Sequence, residues 1–310
     1  MGARDGALAL LARALKGGRG VVVLVLVALV ALSRPPALGG PCMWRRSLGH
    51  QFDSTALAAM HSTVRATLAR FTPGDPYVDT HGLRFAQTLL LLQPLVVAPP
   101  GRRVLLAGEK GHVPVLVSQV LGLPHFRATS WDEAGTLSIT SRDGLARVEV
   151  QLERVNLEAD VWPFEDAAFD AILLLEVLEH FTHDPMHALA EARRVLAPGG
   201  HLVLSTPNVG SLASLQKSLH HDTPFLFSQF MRTQSLTHAR EFAYNEVSRA
   251  LGCAGFDIAL GTIEAYFPFL QPRHPLCRLD TRLLGSTLFF IGEKKAAAAE
   301  LDMDCGLYFP

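Results

Sequence analysis

The stretch NLEADVWPFEDAAFDAILLLEVLEHFTHDPMHALAEARRVLAPGGHLVLSTPN, from Asn156 to Asn208, alternates buried-strand texture with one helical run. Ala171 to Leu175 is wholly apolar and too short for a helix, so it reads as a strand covered on both faces. Asp184-Pro185 then supplies an N-cap and first-turn pair for a helix bearing Met186, Leu189, Val195 and Leu196. Pro198-Gly199-Gly200 stops it, and His201 to Thr206 is a second apolar strand. Strand, helix and buried strand in succession make the unit of a parallel sheet with helices on its faces.

The same texture extends in both directions. Upstream, Val104 to Ala107 reads as a first strand ending at Gly108, followed by a helix over Val115 to Leu121 and a strand over Phe126 to Ser130. Thr136 to Thr140 and Leu145 to Leu152 alternate apolar and polar residues around Asp143-Gly144, which predicts a hairpin, either inserted or leading into the third strand. Downstream, Tyr244, Val247 and Leu251 mark a helix, with strands near Phe256 to Leu260 and Thr287 to Ile291. Ahead of the sheet, Leu57, Met60, Val64 and Leu68 recur at helical spacing until Pro73-Gly74, and Leu83 to Leu92 predicts a second helix. These two are expected to form an N-terminal helical cap. The chain thus divides into a leader and linker (1–45), a cap (46–100), a sheet domain (101–295) and a tail (296–310).

A chain of 310 residues that is 49% hydrophobic can bury a full core. With 28 basic and 29 acidic side chains, its net charge of −1 creates no long-range field toward nucleic acid, and no nucleic-acid partner is indicated. Cys42, Cys253, Cys277 and Cys305 are far apart with no CxxC pair, so free thiols are expected. Val21 to Leu32 is an unbroken apolar run preceded by Arg13, Lys16 and Arg19. As a helix it would span about 18 Å, short of the roughly 30 Å hydrocarbon core. It suits a signal peptide or signal anchor, with a peripheral membrane helix or an unimportant leader as the alternatives. The first two imply membrane association or the secretory pathway; the third leaves a cytoplasmic protein.

In an open parallel sheet, ligands lie at the carboxyl ends of the strands, where strand order reverses. After the first strand comes Gly108-Glu109-Lys110-Gly111-His112, a turn whose glycines let backbone amides approach a ligand. Further on, Pro163-Phe164, Phe169-Asp170, Glu176 to His180, Arg194 to Gly200 and Thr206-Pro207-Asn208 follow one another in order. With these motifs, and with His238-Ala239-Arg240-Glu241-Phe242 downstream, the chain resembles the class I S-adenosylmethionine-dependent methyltransferases, in particular the type 11 subgroup, over roughly residues 75 to 295.

The resemblance implies a Rossmann-like α/β fold: a seven-stranded sheet, six strands parallel and one antiparallel, with helices on both faces. It implies S-adenosylmethionine as cofactor and an unidentified methyl acceptor as partner. Gly108, Glu109 and Gly111 would face the methionine portion. Asp132, with Glu133 beside it, would accept from the ribose hydroxyls, because a carboxylate can take two hydrogen bonds from a vicinal diol. Asn156, Glu158 or Asp160 would accept from the adenine amino group, and Glu176 and Val177 would line the pocket. The chain departs from the family at the first motif, where Leu106 replaces the usual acid and Lys110 the middle glycine; Glu109 is the acid available instead.

Methyl transfer is an in-line displacement, so holding donor and acceptor in attack geometry is the protein's main task. A hydroxyl acceptor would benefit from a base, and His180 and His238 are the candidates. Glu179 and His180 have a second reading, as braces of the loop after the fourth strand. His183 and His187 stand four apart near a helix start, a spacing that metal sites use, but no metal is expected. Val209 to Arg240, with Phe225, Phe227 and Phe230, is the expected acceptor lid, unless those rings are core. The rival to an enzyme is a catalytically silent methyltransferase-like binding or scaffold protein, for which the altered first motif speaks.

Overall fold

The computed structural model describes residues 53–96, 101–109, 111–123, 125–224, 238–264 and 285–295. The leader, the tail and residues 225–237 of the expected lid, with its three phenylalanines, lie outside them. Two helices open the fold, α1 (Ser54–Phe71) and α2 (Pro76–Val96). The Asp53 side chain caps α1 by accepting from the Thr55 amide. Strand β1 (Val104–Leu106), helix α3 (His112–Gln119) and β2 (Arg127–Ser130) follow. Then come β3 (Gly135–Thr140), β4 (Arg147–Arg154), β5 (Phe169–Leu175), α4 (Met186–Val195) and β6 (Leu196–Pro207). The last described elements are α5 (Leu212–Leu219), α6 (Tyr244–Cys253), β7 (Phe256–Glu264) and β8 (Thr287–Lys294).

All eight strands join one sheet in the order β3-β4-β2-β1-β5-β6-β8-β7. β4, β2, β1, β5 and β6 are parallel, while β8 runs antiparallel between β6 and β7. The expected seven strands are therefore present, and β3 adds an eighth, antiparallel to β4 at the edge. The hairpin expected around Asp143-Gly144 is the one that leads into the third parallel strand.

Residues along each strand alternate between two cores. Val104, Leu106, Ala171 and Leu173 face one; Leu105, Ala107, Ile172 and Leu174 face the other. Helices α4 and α6 cover the second face. On the first, the connection from β2 to β4 contains β3 where a parallel pair usually has a crossover helix. Helix α1 does that helix's work. Its Val64 and Leu68 are fully buried in the cluster that holds Val148, Val150 and Leu152 of β4. Arg70, near the end of α1, pairs with Asp143 of the hairpin turn, and the Arg70 carbonyl accepts from the Arg142 amide at 2.7 Å. The two N-terminal helices precede the sheet as expected, and their apolar faces belong to the first core.

One expectation is overturned. Cys253, at the end of α6, is disulfide-bonded. Sequence spacing gave no sign of this, because pairing depends on how distant segments meet in space.

Candidate functional site

Strand order reverses between β1 and β5, whose neighbours on either side are β2 and β6. The chain ends of β1, β2, β4 and β5 converge there on Gly108. Its amide donates to the Thr129 hydroxyl of β2 at 2.8 Å. Its φ is +80°, and a β-carbon would lie 3.0 Å from Val177 Cγ2 and 3.5 Å from Leu157 Cδ1. Glycine is required by conformation and by packing together. Gly111 is exposed and starts α3 with open space around it. Lys110 lies outside the described residues.

Glu176 and Val177 follow β5. Glu176 has φ +54°, a left-handed conformation that is strained for a side chain other than glycine. Its carboxylate is held from two sides, by the Ser205 hydroxyl at 2.7 Å and by Arg84 Nη1 at 2.5 Å. Arg84 comes from α2 and also donates to the Tyr77 hydroxyl at 2.7 Å. Tyr77 in turn stacks on His112, at the start of α3, with ring planes 6° apart. Glu109 lies in the same surroundings, and burial pushes its carboxyl up to about 8, against the pull of Arg84 and with Glu176 adding to the rise.

Among the described residues Glu179 is the most deeply buried acid, 1% exposed. Burial first, and the neighbouring Glu176 second, raise its carboxyl well above the ordinary range. It accepts from the Thr206 hydroxyl at 2.9 Å, while its carbonyl accepts from the Ala239 amide at 2.7 Å. That backbone bond brings the 238–240 segment against the end of β5. There His180 and His238 stand edge to face with centroids 5.2 Å apart, and His238 Nδ1 is 3.0 Å from Glu241 Oε1. The two histidines singled out from sequence are therefore neighbours. His183 and His187 are not part of this group: His183 pairs with Glu158, and His187 Nε2 donates to the Asp160 carbonyl.

The other predicted residues sit around the rim. Asp132 is exposed beyond β2 and accepts from the Ser130 hydroxyl at 2.5 Å; beside it Trp131 is 66% exposed. Asn156 caps its own turn, its side chain accepting from the Glu158 amide and its own amide donating to Asp160. Glu158 is spent on the loop after β5, accepting from the Thr182 and His183 amides and the Thr182 hydroxyl. Of the three adenine candidates it is the one most committed to structure.

Much of the motif pattern turns out to be scaffolding. Arg194 donates to the Trp162 and Phe164 carbonyls and to Glu191 and Asp166, tying the acidic turn to α4. At Gly200 a β-carbon would lie 2.8 Å from the Ala197 carbonyl oxygen. Asn208 donates to the Gly285 carbonyl and bridges to Phe242, and Arg240 pairs with Glu246. Arg84 and Tyr77 were missed in the sequence, since nothing in a helical pattern says which polar residue faces a strand end in another part of the chain.

Compared with known proteins, residues 128–204 match the family described as "Methyltransferase domain". The chain is 29% identical over 205 residues to a Mycolicibacterium smegmatis protein described as "Probable S-adenosylmethionine-dependent methyltransferase", covering 64% of this chain and 68% of that one. It is 34% identical over 113 residues to the ubiquinone biosynthesis O-methyltransferase of Xanthomonas campestris, covering 36% and 46%. A solved S-adenosylmethionine-dependent methyltransferase from Mesorhizobium loti superposes with a TM-score of 0.46 at 16% identity, over 67% of this chain and 97% of that one. The chain spans 19% to 68% of the length of the curated relatives it matches.

Proposed function

Because the chain carries a class I S-adenosylmethionine-dependent methyltransferase domain, we propose that it transfers the methyl group of S-adenosylmethionine to an acceptor bound beside His180 and His238. The observation that carries the reading is the charge arrangement at the switch point. Glu109 and Glu176 stand with Arg84 and Tyr77 around the end of β1. Two carboxylates next to a guanidinium and a phenol complement an amino-acid zwitterion, whose ammonium and carboxylate need partners of both kinds. Arg84 and Tyr77 would take the carboxylate, and Glu109 or Glu176 the ammonium, in place of the acid that Leu106 does not supply. At the other end, exposed Trp131 offers a stacking face and Asp132 a diol acceptor for the nucleoside.

When bound, the sulfonium supplies an electrophilic methyl group. The protein's part is to position the acceptor and receive a proton. Glu241 holds His238 Nδ1, so Nε2 is the nitrogen able to accept that proton, and the carboxylate stabilises the resulting imidazolium. Calorimetry of the full chain with S-adenosylmethionine and S-adenosylhomocysteine tests the reading. Micromolar binding of both is expected. No binding at millimolar concentration would leave a methyltransferase-like scaffold instead.

The secretory pathway is the compartment that fits best. The apolar run Val21 to Leu32 and the disulfide at Cys253 both support it, since such bonds persist in oxidising compartments. Among the described residues no helix is long and apolar enough to cross a membrane. Protection of the tagged protein from protease in intact microsomes checks this, and full digestion would place it in the cytosol.

A further inference from the structure

We infer that Glu179, His180 and His238 form a binding site for a divalent first-row transition metal ion. Ligand atoms of the three residues all lie within 4.8 Å of one another. The set comes from two segments far apart in sequence, the 3-10 turn Leu178–His180 after β5 and the irregular segment before α6. The Ala239 amide bond to the Glu179 carbonyl fixes their approach.

The ring geometry suits a shared ion. With metal–nitrogen bonds of about 2.0–2.1 Å and tetrahedral angles, two imidazoles on one ion have centroids about 5 Å apart. His180 and His238 have centroids 5.2 Å apart. Ligand atoms on such an ion lie about 3.3 Å from one another, a spacing reached by small rotations of two half-buried histidines. His238 also has the outer partner that metal-binding histidines commonly have, because its Nδ1 meets the carboxylate of Glu241 and Nε2 is left as the ligand atom.

Charge points the same way. Glu109, Glu176 and Glu179 crowd the end of β5 with Arg84 as the cation acting on all three. A buried carboxylate such as Glu179 is expensive without a compensating positive charge, and a bound cation supplies one. Two imidazoles and one carboxylate select zinc, ferrous iron or similar ions over calcium or magnesium. Three protein ligands leave a coordination position open to water or to an oxygen atom of the acceptor. His238 Nε2 can serve as the base only in the metal-free protein; with the ion bound its lone pair is used, and metal-bound hydroxide takes the acceptor's proton instead. Metal uptake is read without cofactor.

The test is metal uptake by the full chain, stripped with chelator and dialysed against Zn²⁺ or Co²⁺. About one equivalent is expected, with visible ligand-field absorption for Co²⁺. His180→Gln and His238→Gln should lower uptake more than tenfold, as should Glu179→Gln where it folds. Glu241→Gln, which acts through His238, should weaken affinity about 10–100-fold. His125→Ala, at an exposed position elsewhere, should bind as the wild type does. Folded wild-type protein that takes up less than a tenth of an equivalent would overturn the inference. So would His180→Gln and His238→Gln proteins that bind metal as the wild type does.

Discussion

Arg84, on a helix that precedes the sheet, closes an ion pair of 2.5 Å with Glu176, the residue that follows β5 in a left-handed conformation. The pair joins the N-terminal helices to the centre of the candidate site. Replacing Arg84 by Ala leaves Glu176 beside Glu109 and Glu179 without its main counter-charge. A stability loss of about 1.5–3 kcal/mol is expected from the lost charged hydrogen bonds. Affinity for S-adenosylmethionine should fall at least tenfold. Arg84→Lys, which keeps the charge but loses the forked contact to Glu176 and Tyr77, should fall between the two. Calorimetry and denaturant melts read both effects, and unchanged cofactor affinity in Arg84→Ala would remove Arg84 from the site.

The backbone at Glu176 allows a separate measurement. At φ +54° a β-carbon is strained, so Glu176→Gly should be more stable than Glu176→Ala by about 1 kcal/mol, although both lack the carboxylate. Equal stability of the two would mean that this conformation carries no strain.

Gly108→Val is expected to destabilise the fold as well as the site. Its β-carbon would press on Val177 at 3.0 Å and adopt a φ of +80°. Together these cost about 2–4 kcal/mol. A lower melting temperature is expected along with lost cofactor binding. A variant that melts like the wild type would contradict the packing.

Glu109 should make stability fall as pH rises. Its carboxyl, near 4.5 when unfolded, is pushed up to about 8 in the native state, chiefly by burial. Between those values the native state keeps a proton that the unfolded chain has lost. The stabilising contribution is therefore fully present below about 4.5 and disappears as pH passes through about 8. Glu109→Gln should flatten this slope and melt a few degrees higher near pH 8. A wild-type melting temperature that stays constant or rises from pH 5 to 8, with the variant parallel to it, would exclude the effect.

Truncation separates leader from core. Removal of residues 1–45 should leave the melting temperature nearly unchanged. Removal of residues 1–96 should give insoluble protein, because it uncovers Val148, Val150 and Leu152 and takes away Val64, Leu68, Phe85, Leu89 and Leu92 from the same cluster. At roughly 1.5–3 kcal/mol for each fully buried apolar side chain, these losses exceed a typical stability of about 5–15 kcal/mol. A soluble, cofactor-binding 97–310 fragment would show that α1 and α2 are dispensable.

The run from Asn156 to Asn208 carried the alternation of strand and helix and the family pattern, because each depends on residues near one another in the chain; Leu196 and Pro198-Gly199-Gly200, read as the end of the helix and its stop, instead lie within β6, where its pairing with β5 is irregular. The hairpin around Asp143-Gly144 was legible for the same reason. What the sequence by itself could not determine was which elements meet. Val64 and Leu68 repeat with helical spacing whether they cap a domain or line its core; only the absence of a crossover helix between β2 and β4 gives them the sheet face to cover. Arg84 is one polar residue among many on α2 until folding places it on Glu176, 92 residues away in the chain. His180 and His238 become a pair only when the Glu179 carbonyl takes the Ala239 amide. Local pattern fixes secondary structure through backbone geometry, whereas the site is made of long-range charge and packing contacts, and those exist only after the chain has closed on itself.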